Sequence, residues 1–367
     1  MGRTRGGKRL EDWGVIKRLL PTGWEAAARR LGALRRARGI ADAQTLLRVL
    51  LVHVADGCSL SETALRAQQA GWCQISAVAL FRRLQAAEPW LRWLGEQLWR
   101  QRTHPPRSGG YRVRAVDATI VREPGRTGSQ WRVHYAIGLG DLQCDFFELT
   151  DIRGGESFRR IPVHAGELVL GDRVYATPPG VRHVLGAGGA VVVRVNVQSL
   201  PLFTRSGRRL ALFARLRTVR GGHIGEWPAY VAGAQGQLLA GRLIAIRRSR
   251  HAARIVRKRL RRKANKAQRQ LTAASLAATR YIILWTSVPA TALPGAEVLE
   301  LYRLRWQIEL AFKRMKSIMA LGHLPKRADA SARAWLHGKL FVALLVERLL
   351  HHARAFSPWG YEMAAAP

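Results

Sequence analysis

Acidic residues are scarce in this chain of 367 residues: 24 Asp and Glu stand against 61 Lys and Arg, for a formal net charge of +37. A field of that sign and size draws polyanions, and nucleic acid is the commonest of them. Lysine is scarce as well, with only nine of the basic residues. Guanidinium chemistry therefore dominates, and Arg grips phosphate oxygens in a fork that Lys does not offer; a GC-rich genome produces the same bias. Cysteine is rarer still. Cys58, Cys73 and Cys144 are odd in number and scattered, which excludes metal-ligand spacing and fits buried or free thiols in a reducing cytoplasm. No apolar run is long enough to cross a bilayer: the longest, 340–346, is broken by Glu347 and Arg348. The amino terminus has no apolar signal core, and neither an amphipathic anchor nor a lipidation signal is present. These absences set an anionic membrane aside and leave a soluble cytoplasmic protein as the expectation.

What is present is ordinary for a globular protein. Hydrophobic residues make up 48% of the chain, and the length suffices for two or three domains with real cores. Up to about residue 105 the pattern is helical. Ser59-Leu60-Ser61-Glu62 has the capping-box spacing of a helix start. That helix is expected to end near Gly71, and a second to begin around Ile75 with Val78, Phe81 and Leu84 facing inward. With Arg82 and Arg83 exposed, the pair resembles a DNA-binding helix-turn-helix; an ordinary helical hairpin is the favoured of the two readings. Residues 105–110 read as a linker. Three consecutive strand patterns follow at 111–120, 131–139 and 142–150, as in an antiparallel meander, and further strands at 167–171 and 189–195. Gly-broken strand pieces continue at 227–232 and 238–246. Between residues 247 and 269, twelve of twenty-three residues are Arg or Lys and none is acidic. This run fits either a DNA clamp or a solvated helix face, and the lack of balancing acids favours DNA. An apolar strand at 281–286 precedes a long helix, and a last apolar helix covers about 334–351. Mixed strands followed by helices indicate an α/β core with an insertion and helical flanks.

The long helix is the most informative stretch. At about 100° per residue, Tyr302, Arg305, Glu309 and Lys316 share an arc of roughly 60°. Ile308, Ala311, Met315 and Ile318 point the other way, toward a core. A carboxylate among a phenol and two cations suits a place where metal and phosphate meet. Two more carboxylates sit at strand positions: Asp117 within the first strand of the meander, and Asp172 just past the fourth. Three such acids supply the oxygen ligands that hard divalent cations need. Two ions about 4 Å apart activate an attacking water or hydroxyl and stabilise the leaving oxygen of a phosphodiester. Each acid also has a plain reading: Asp172 as a turn former, Asp117 bonding its own backbone, Glu309 pairing with Arg305 or Lys313 at helical spacing. His134, His164 and His323 have no ligand spacing and are expected to be structural or surface groups.

Taken together, these positions resemble a known family. Tyr302-x2-Arg305-x3-Glu309-x6-Lys316 matches the Y-(2)-R-(3)-E-(6)-K signature of the IS4 family of bacterial DDE transposases. Val116-Asp117-Ala118-Thr119 and Gly171-Asp172-Arg173-Val174-Tyr175 resemble that family's first and second Asp motifs, in the expected order. The resemblance implies an α/β fold with an RNase H-like catalytic core, a largely β insertion and helical amino- and carboxyl-terminal flanks. The expected division is a helical, DNA-end-binding segment at 1–105; the core at 106–196 and 281–325, the latter carrying the Glu helix; an insertion with the basic segment at 197–280; and a helical tail at 326–367.

By the same resemblance, Asp117, Asp172 and Glu309 are the catalytic and metal-binding residues, with Mg²⁺ as cofactor and Mn²⁺ as a substitute. Tyr302, Arg305, Lys316 and Lys313 would hold the DNA backbone, joined by Arg257, Lys258, Arg261 and Arg262 from the basic run. The implied partners are the terminal inverted repeats of the element and the target DNA, both double-stranded, with a homodimer forming on DNA. Family members pass through a DNA hairpin with a base flipped onto an aromatic residue, and the corresponding region here is 281–285, with an aromatic at each end. Two rivals stand beside this reading: an RNase H-like nuclease or resolvase that does not join strands, and a basic DNA-binding protein that does not cut.

Overall fold

The computed structural model describes residues 13–102, 110–123, 130–322, 324–325 and 329–355. The expected linker therefore lies almost wholly outside the described residues, as does His323. In chain order, helices α1 (Trp13–Leu19), α2 (Trp24–Arg30), α3 (Ala43–Val54), α4 (Leu60–Gln69), α5 (Ala77–Ala86) and α6 (Glu88–Arg100) come first. Strands β1 (Arg112–Arg122), β2 (Gln130–Gly138), β3 (Cys144–Asp151) and β4 (Glu167–Gly171), helix α7 (Pro178–Gly186) and β5 (Ala190–Arg194) follow. Next are β6 (Leu202–Phe203), α8 (Leu212–Thr218), β7 (Ile224–Pro228), β8 (Tyr230–Ala232), β9 (Leu238–Leu239) and β10 (Arg242–Arg247). The chain continues with α9 (Arg250–Lys266), α10 (Ala273–Ala278), β11 (Tyr281–Thr286), α11 (Gly295–Leu304), α12 (Gln307–Ser317) and α13 (Asp329–Ala355). Among the described residues no helix is long and apolar enough to cross a membrane. Two compact units result: one from 1–103, 120–131 and 313–367, the other from 104–119 and 132–312.

The first unit is helical, and both helical flanks of the chain belong to it: α13 packs on α6, α5, α3 and α1. Its helices start where polar side chains satisfy free amides. Asp42 accepts from Thr45 N at 2.7 Å, Ser59 from Glu62 N at 3.1 Å and Ser76 from Ala79 N at 3.2 Å. Inside, Trp24 and Trp90 stack at 6.2 Å, and the Trp90 indole donates to the Trp24 carbonyl. The α4–α5 hairpin forms around Gly71, whose φ of 69° is a conformation that costs glycine little. The inward face of α5 differs from the sequence expectation. Leu80 and Leu84 are its buried residues, Phe81 is half-buried, and Val78 is 63% exposed. Arg82 is exposed, but Arg83 is half-buried and donates to the Arg36 and Arg38 carbonyls at 2.5 and 3.2 Å.

The second unit is built on an eight-stranded sheet of order β3-β2-β1-β4-β5-β11-β10-β7. The five-residue link from β2 to β3 is too short for a crossover, so these neighbours run antiparallel. β1 pairs with β4 in parallel, from Arg112↔Glu167 to Ala115↔Leu170, and β4 pairs with β5 in parallel. A meander continued by two parallel strands in the order 3-2-1-4-5 is the RNase H-like arrangement. β11 joins antiparallel to β5, and the insertion then lends β10 and β7 to the same sheet. Both faces are covered. Val169, Val191 and Val193 pack with Phe158 and Tyr175 on one side. Leu168, Leu170 and Val192 pack with Leu284 and Val298 on the other. This explains why β4 and β5 read as continuous apolar runs rather than alternating ones.

The strand patterns at 227–232 and 238–246 each divide in two. β7 and β10 stay in the large sheet, while β8 and β9 turn into a three-stranded sheet with β6. The bend is fixed at Ala229 and Gly241: Ala229 N donates to the Gly241 carbonyl at 2.9 Å, and the buried Trp285 indole donates to the Ala229 carbonyl at 3.0 Å. A Cβ on Gly241 would lie 2.3 Å from the Trp285 ring, so only glycine fits. At the other end of the sheet Arg114 is 1% exposed and binds Asp145 through two hydrogen bonds of 2.8 Å and Glu167 through one of 2.6 Å. That fork joins β3, β1 and β4.

Candidate active site

The parallel register of β1 and β4 places the first two acids. Ala115 lies opposite Leu170, and two residues further along each chain stand Asp117 and Asp172. Neighbouring strands are about 4.8 Å apart, so the two carboxylates emerge side by side at one end of the sheet. Asp117 shows what this costs. Burial pushes its carboxyl from 3.8 up to about 7, and the negative charge of Asp172 pushes the same way. The Ala118 amide and Arg305 pull it down. Behind the pair, the Tyr175 hydroxyl is buried without a hydrogen-bond partner, and the charges of Asp117, Glu156 and Asp172 reinforce burial in raising its pKa.

The third acid arrives on a helix that is not continuous. Between α11 and α12 the amides of Arg305, Trp306, Ile308 and Glu309 donate to carbonyls three residues back, at 3.0 to 3.4 Å. This tighter winding breaks the single helix expected from the sequence. Ile308 and Met315 are buried and Ala311 is half-buried, but Ile318 lies past the end of α12 and is 78% exposed. Arg305 sits at the break. One guanidinium nitrogen reaches Asp117 Oδ2 at 3.4 Å, and another donates to Glu309 Oε1. Arg305 is mostly buried, whereas Glu309 is 57% exposed. The Tyr302 ring stacks beneath the guanidinium, 5.8 Å from centroid to Cζ.

All three plain contacts occur. Asp117 accepts from Ala118 N and Asp172 from Val174 N, each at 2.8 Å, and Glu309 pairs with Arg305. None of them accounts for the perturbed Asp117 or for one guanidinium clasping acids from β1 and α12. The donor set suits a hard divalent cation: its ligands are oxygens, they are anionic, and Asp117 gains from any cation beside it. Among the described residues no group of three or more His, Cys, Asp or Glu side chains closes into a metal site; Arg305 stands between the first and third acids.

Lys313 and Lys316 are exposed on the last turns of α12, and burial followed by the charge of Arg122 lowers the Lys316 pKa. In the basic run α9 is a helix capped by Ser249, with Lys258, Arg261 and Arg262 exposed and Arg257 half-buried. Its Lys263 acts electrostatically on Glu156, whose own pKa burial and Asp172 raise. Tyr281 and Trp285 are both core residues, 6% and 0% exposed, so neither end of that strand offers an aromatic surface. His134 binds the Thr150 hydroxyl at 3.0 Å, and His164 lies beside Glu167. Glu156 carried no signal in the sequence, being a single residue of a common type; Tyr175, Arg194 and Arg248 lay within stretches the sequence marked, but with no role of their own.

Strand order and aspartate register, with Arg305 reaching from Asp117 to Glu309, define an RNase H-like enzyme of phosphodiester chemistry. Comparison with known proteins agrees. The family described as "Transposase DDE domain" matches residues 150–345, a stretch holding Asp172 and Glu309. The InsL protein of insertion sequence element IS186A, from Escherichia coli (strain K12), is 34% identical over 359 residues, covering 95% of this chain and 96% of the relative. The transposase for insertion sequence element IS421, from Escherichia coli, is 34% identical over 360 residues with the same coverage. The chain belongs to the DDE transposases of the IS4 type, enzymes that act on DNA with divalent metal ions.

Proposed function

We propose that this transposase cuts the ends of its own insertion element and joins them to target DNA, with Asp117, Asp172 and Glu309 as its catalytic acids. Mg²⁺ held by these carboxylates, or Mn²⁺ in its place, would supply activation of the attacking oxygen and charge neutralisation at the leaving one. The chain's own groups do the rest. Tyr302 and Arg305 grip the backbone beside the scissile bond, Lys313 and Lys316 extend the grip along α12, and Arg257, Lys258, Arg261 and Arg262 of α9 clamp flanking phosphates. The helices up to about residue 105 help to read the terminal repeat, and two copies meet on paired ends in the cytoplasm, at the nucleoid. The observation that carries the reading is the pairing of Asp117 with Asp172 by strand register, with Arg305 reaching from Asp117 to Glu309.

The test incubates purified protein with DNA bearing the element ends and Mg²⁺. Asp117→Ala, Asp172→Ala and Glu309→Ala are each expected to abolish cleavage and strand joining while DNA binding persists. Cleavage retained by any one of them removes that residue from the site.

A further inference from the structure

Two hollows of about 410 and 370 Å³ lie side by side on the insertion, and Phe213, Arg217 and Ala274 line both. They make one groove that follows α8, between the 197–211 segment and α10. Val197, Leu200, Leu202, Leu210 and Leu212 join Phe213 in the first hollow, and Ala273 and Ala277 join it in the second. Leu200, Leu202 and Leu210 belong to the core under the large sheet, while Val197, Leu212 and Phe213 pack against that core and stay only partly covered. The floor of the groove is therefore a fixed extension of the core, formed in advance of any ligand.

Its margins carry charge of one sign. Arg209 and Arg217 stand at the first hollow, Arg217 and Arg280 at the second, and all three are exposed. No acid lines either hollow. Between Asp172 and Glu297 the sequence holds a single acid, Glu226, and that one pairs with Arg242 inside the large sheet. Arg209 lies over the Phe203 ring at 5.4 Å, and Arg217 Nε donates to the Phe213 carbonyl at 3.3 Å. Neither contact neutralises a charge, and none of the three arginines forms an ion pair with a described residue.

Unpaired guanidiniums suit phosphates and carboxylates alike, but the two anions bring different company. A DNA backbone brings sugars and hydrated phosphates, which leave an apolar floor uncovered. An acidic protein segment brings apolar side chains between its carboxylates, and so uses both parts of the groove. A second copy of this chain does not offer one from its own acid-rich stretch, 141–151. There Asp141 accepts from Gln143 N, Asp145 from Arg114, Glu148 from Arg160 and Asp151 from Arg153 N.

We propose that this groove docks an acidic segment of a different protein, with apolar side chains filling the floor along α8 and carboxylates meeting Arg209, Arg217 and Arg280. The insertion then carries a protein-docking surface in addition to any contact with DNA.

The experiment uses the full chain and two labelled synthetic peptides made of the same numbers of Leu and Glu. One places Leu at the i, i+3, i+4, i+7 spacing of an apolar helix face; the other is shuffled so that no face is apolar. Fluorescence anisotropy in about 0.15 M salt is expected to show the patterned peptide binding about tenfold tighter than the shuffled one, although their charges are equal. Ala214→Glu, which sets a carboxylate in the groove, is expected to weaken the patterned peptide about tenfold, and Arg217→Gln about three- to tenfold. Both positions are exposed, so melting temperatures are expected to stay level, and affinity for a duplex carrying an element end is expected to change less than about threefold. Equal binding of the two peptides would overturn the proposal, as would patterned-peptide binding that survives both substitutions. Loss of duplex affinity as large as the loss of peptide affinity would overturn it as well, by making the groove a DNA contact. Should Ala214→Glu lower the melting temperature, Arg217→Gln alone decides, and wild-type peptide affinity in that variant would end the assignment.

Discussion

Replacing Asp117 by Asn is expected to make the metal-free protein more stable while abolishing its chemistry. Burial, and next to it the charge of Asp172, hold the Asp117 carboxyl at about 7 against an ordinary 3.8. A folded-state value above the unfolded one means that the native protein binds the proton more tightly. Stability therefore falls as pH rises from about 4 through about 7, where the unfolded chain ionises first. The shift corresponds to a penalty on the order of 4 kcal/mol at pH 8 and about 0.5 kcal/mol at pH 4. Asparagine keeps the oxygen that accepts the Ala118 amide but carries no charge, and Arg305 retains Glu309. Allowing for relaxation, the variant should gain about 2–4 kcal/mol at pH 8 and little at pH 4. Urea unfolding in EDTA at the two pH values measures this as a higher midpoint at constant slope. No gain at pH 8, or an equal gain at both pH values, would refute the picture of a carboxylate held at a cost until a cation joins it.

Three further outcomes follow from the same geometry. Arg114→Leu leaves Asp145 and Glu167 buried without their shared cation and should cost about 3–5 kcal/mol in denaturant unfolding, which a change within about 1 kcal/mol would contradict. Gly171→Ala would set a methyl group 2.5 Å from Phe158 and 2.8 Å from Tyr175; it should cost about 1–3 kcal/mol and weaken Mn²⁺ binding by displacing Asp172, both readable by calorimetry. Because Asp117 must lose its proton to bind a cation and holds it up to about 7, apparent Mn²⁺ affinity should fall about tenfold for each pH unit below 7; a flat profile would remove Asp117 from the ligand set.

The strand core was legible because its cues are local. Apolar runs bounded by glycine marked β4 and β5, and the spacing of the acids survived into the fold. The inward face of the late helix was legible at Ile308 and Met315, but neither the exposed Ile318 nor the break at Arg305 was. Counting at a fixed 100° assumes uniform winding, and the four tighter hydrogen bonds at 305–309 break that assumption. Val78 was misplaced for a related reason: in a ten-residue helix two apolar registers compete, and packing on α4 and α6 chose Leu80. The broken strands had half a signal, in Gly241; Ala229 at the facing corner looks like any strand residue.

Arg305 ties these features into one device. It lines a cleft with Arg194 and Arg248, touches Asp117 and holds Glu309. Each edge of a guanidinium holds one planar or tetrahedral oxyanion, so a DNA phosphate taking the edge that holds Glu309 competes with it for those donors. On the proposed assignment, releasing Glu309 frees this exposed carboxylate to turn toward Asp117 and Asp172. DNA binding and metal binding are then linked through one side chain, and linkage is reciprocal: whatever factor DNA adds to Mn²⁺ affinity, Mn²⁺ adds to DNA affinity. Arg305→Lys keeps a cation but not the fork, and should weaken both affinities while reducing the factor that couples them. Titrations of metal with and without DNA measure that factor, and equal coupling in the wild type and the Lys variant would leave Arg305 as a plain phosphate contact.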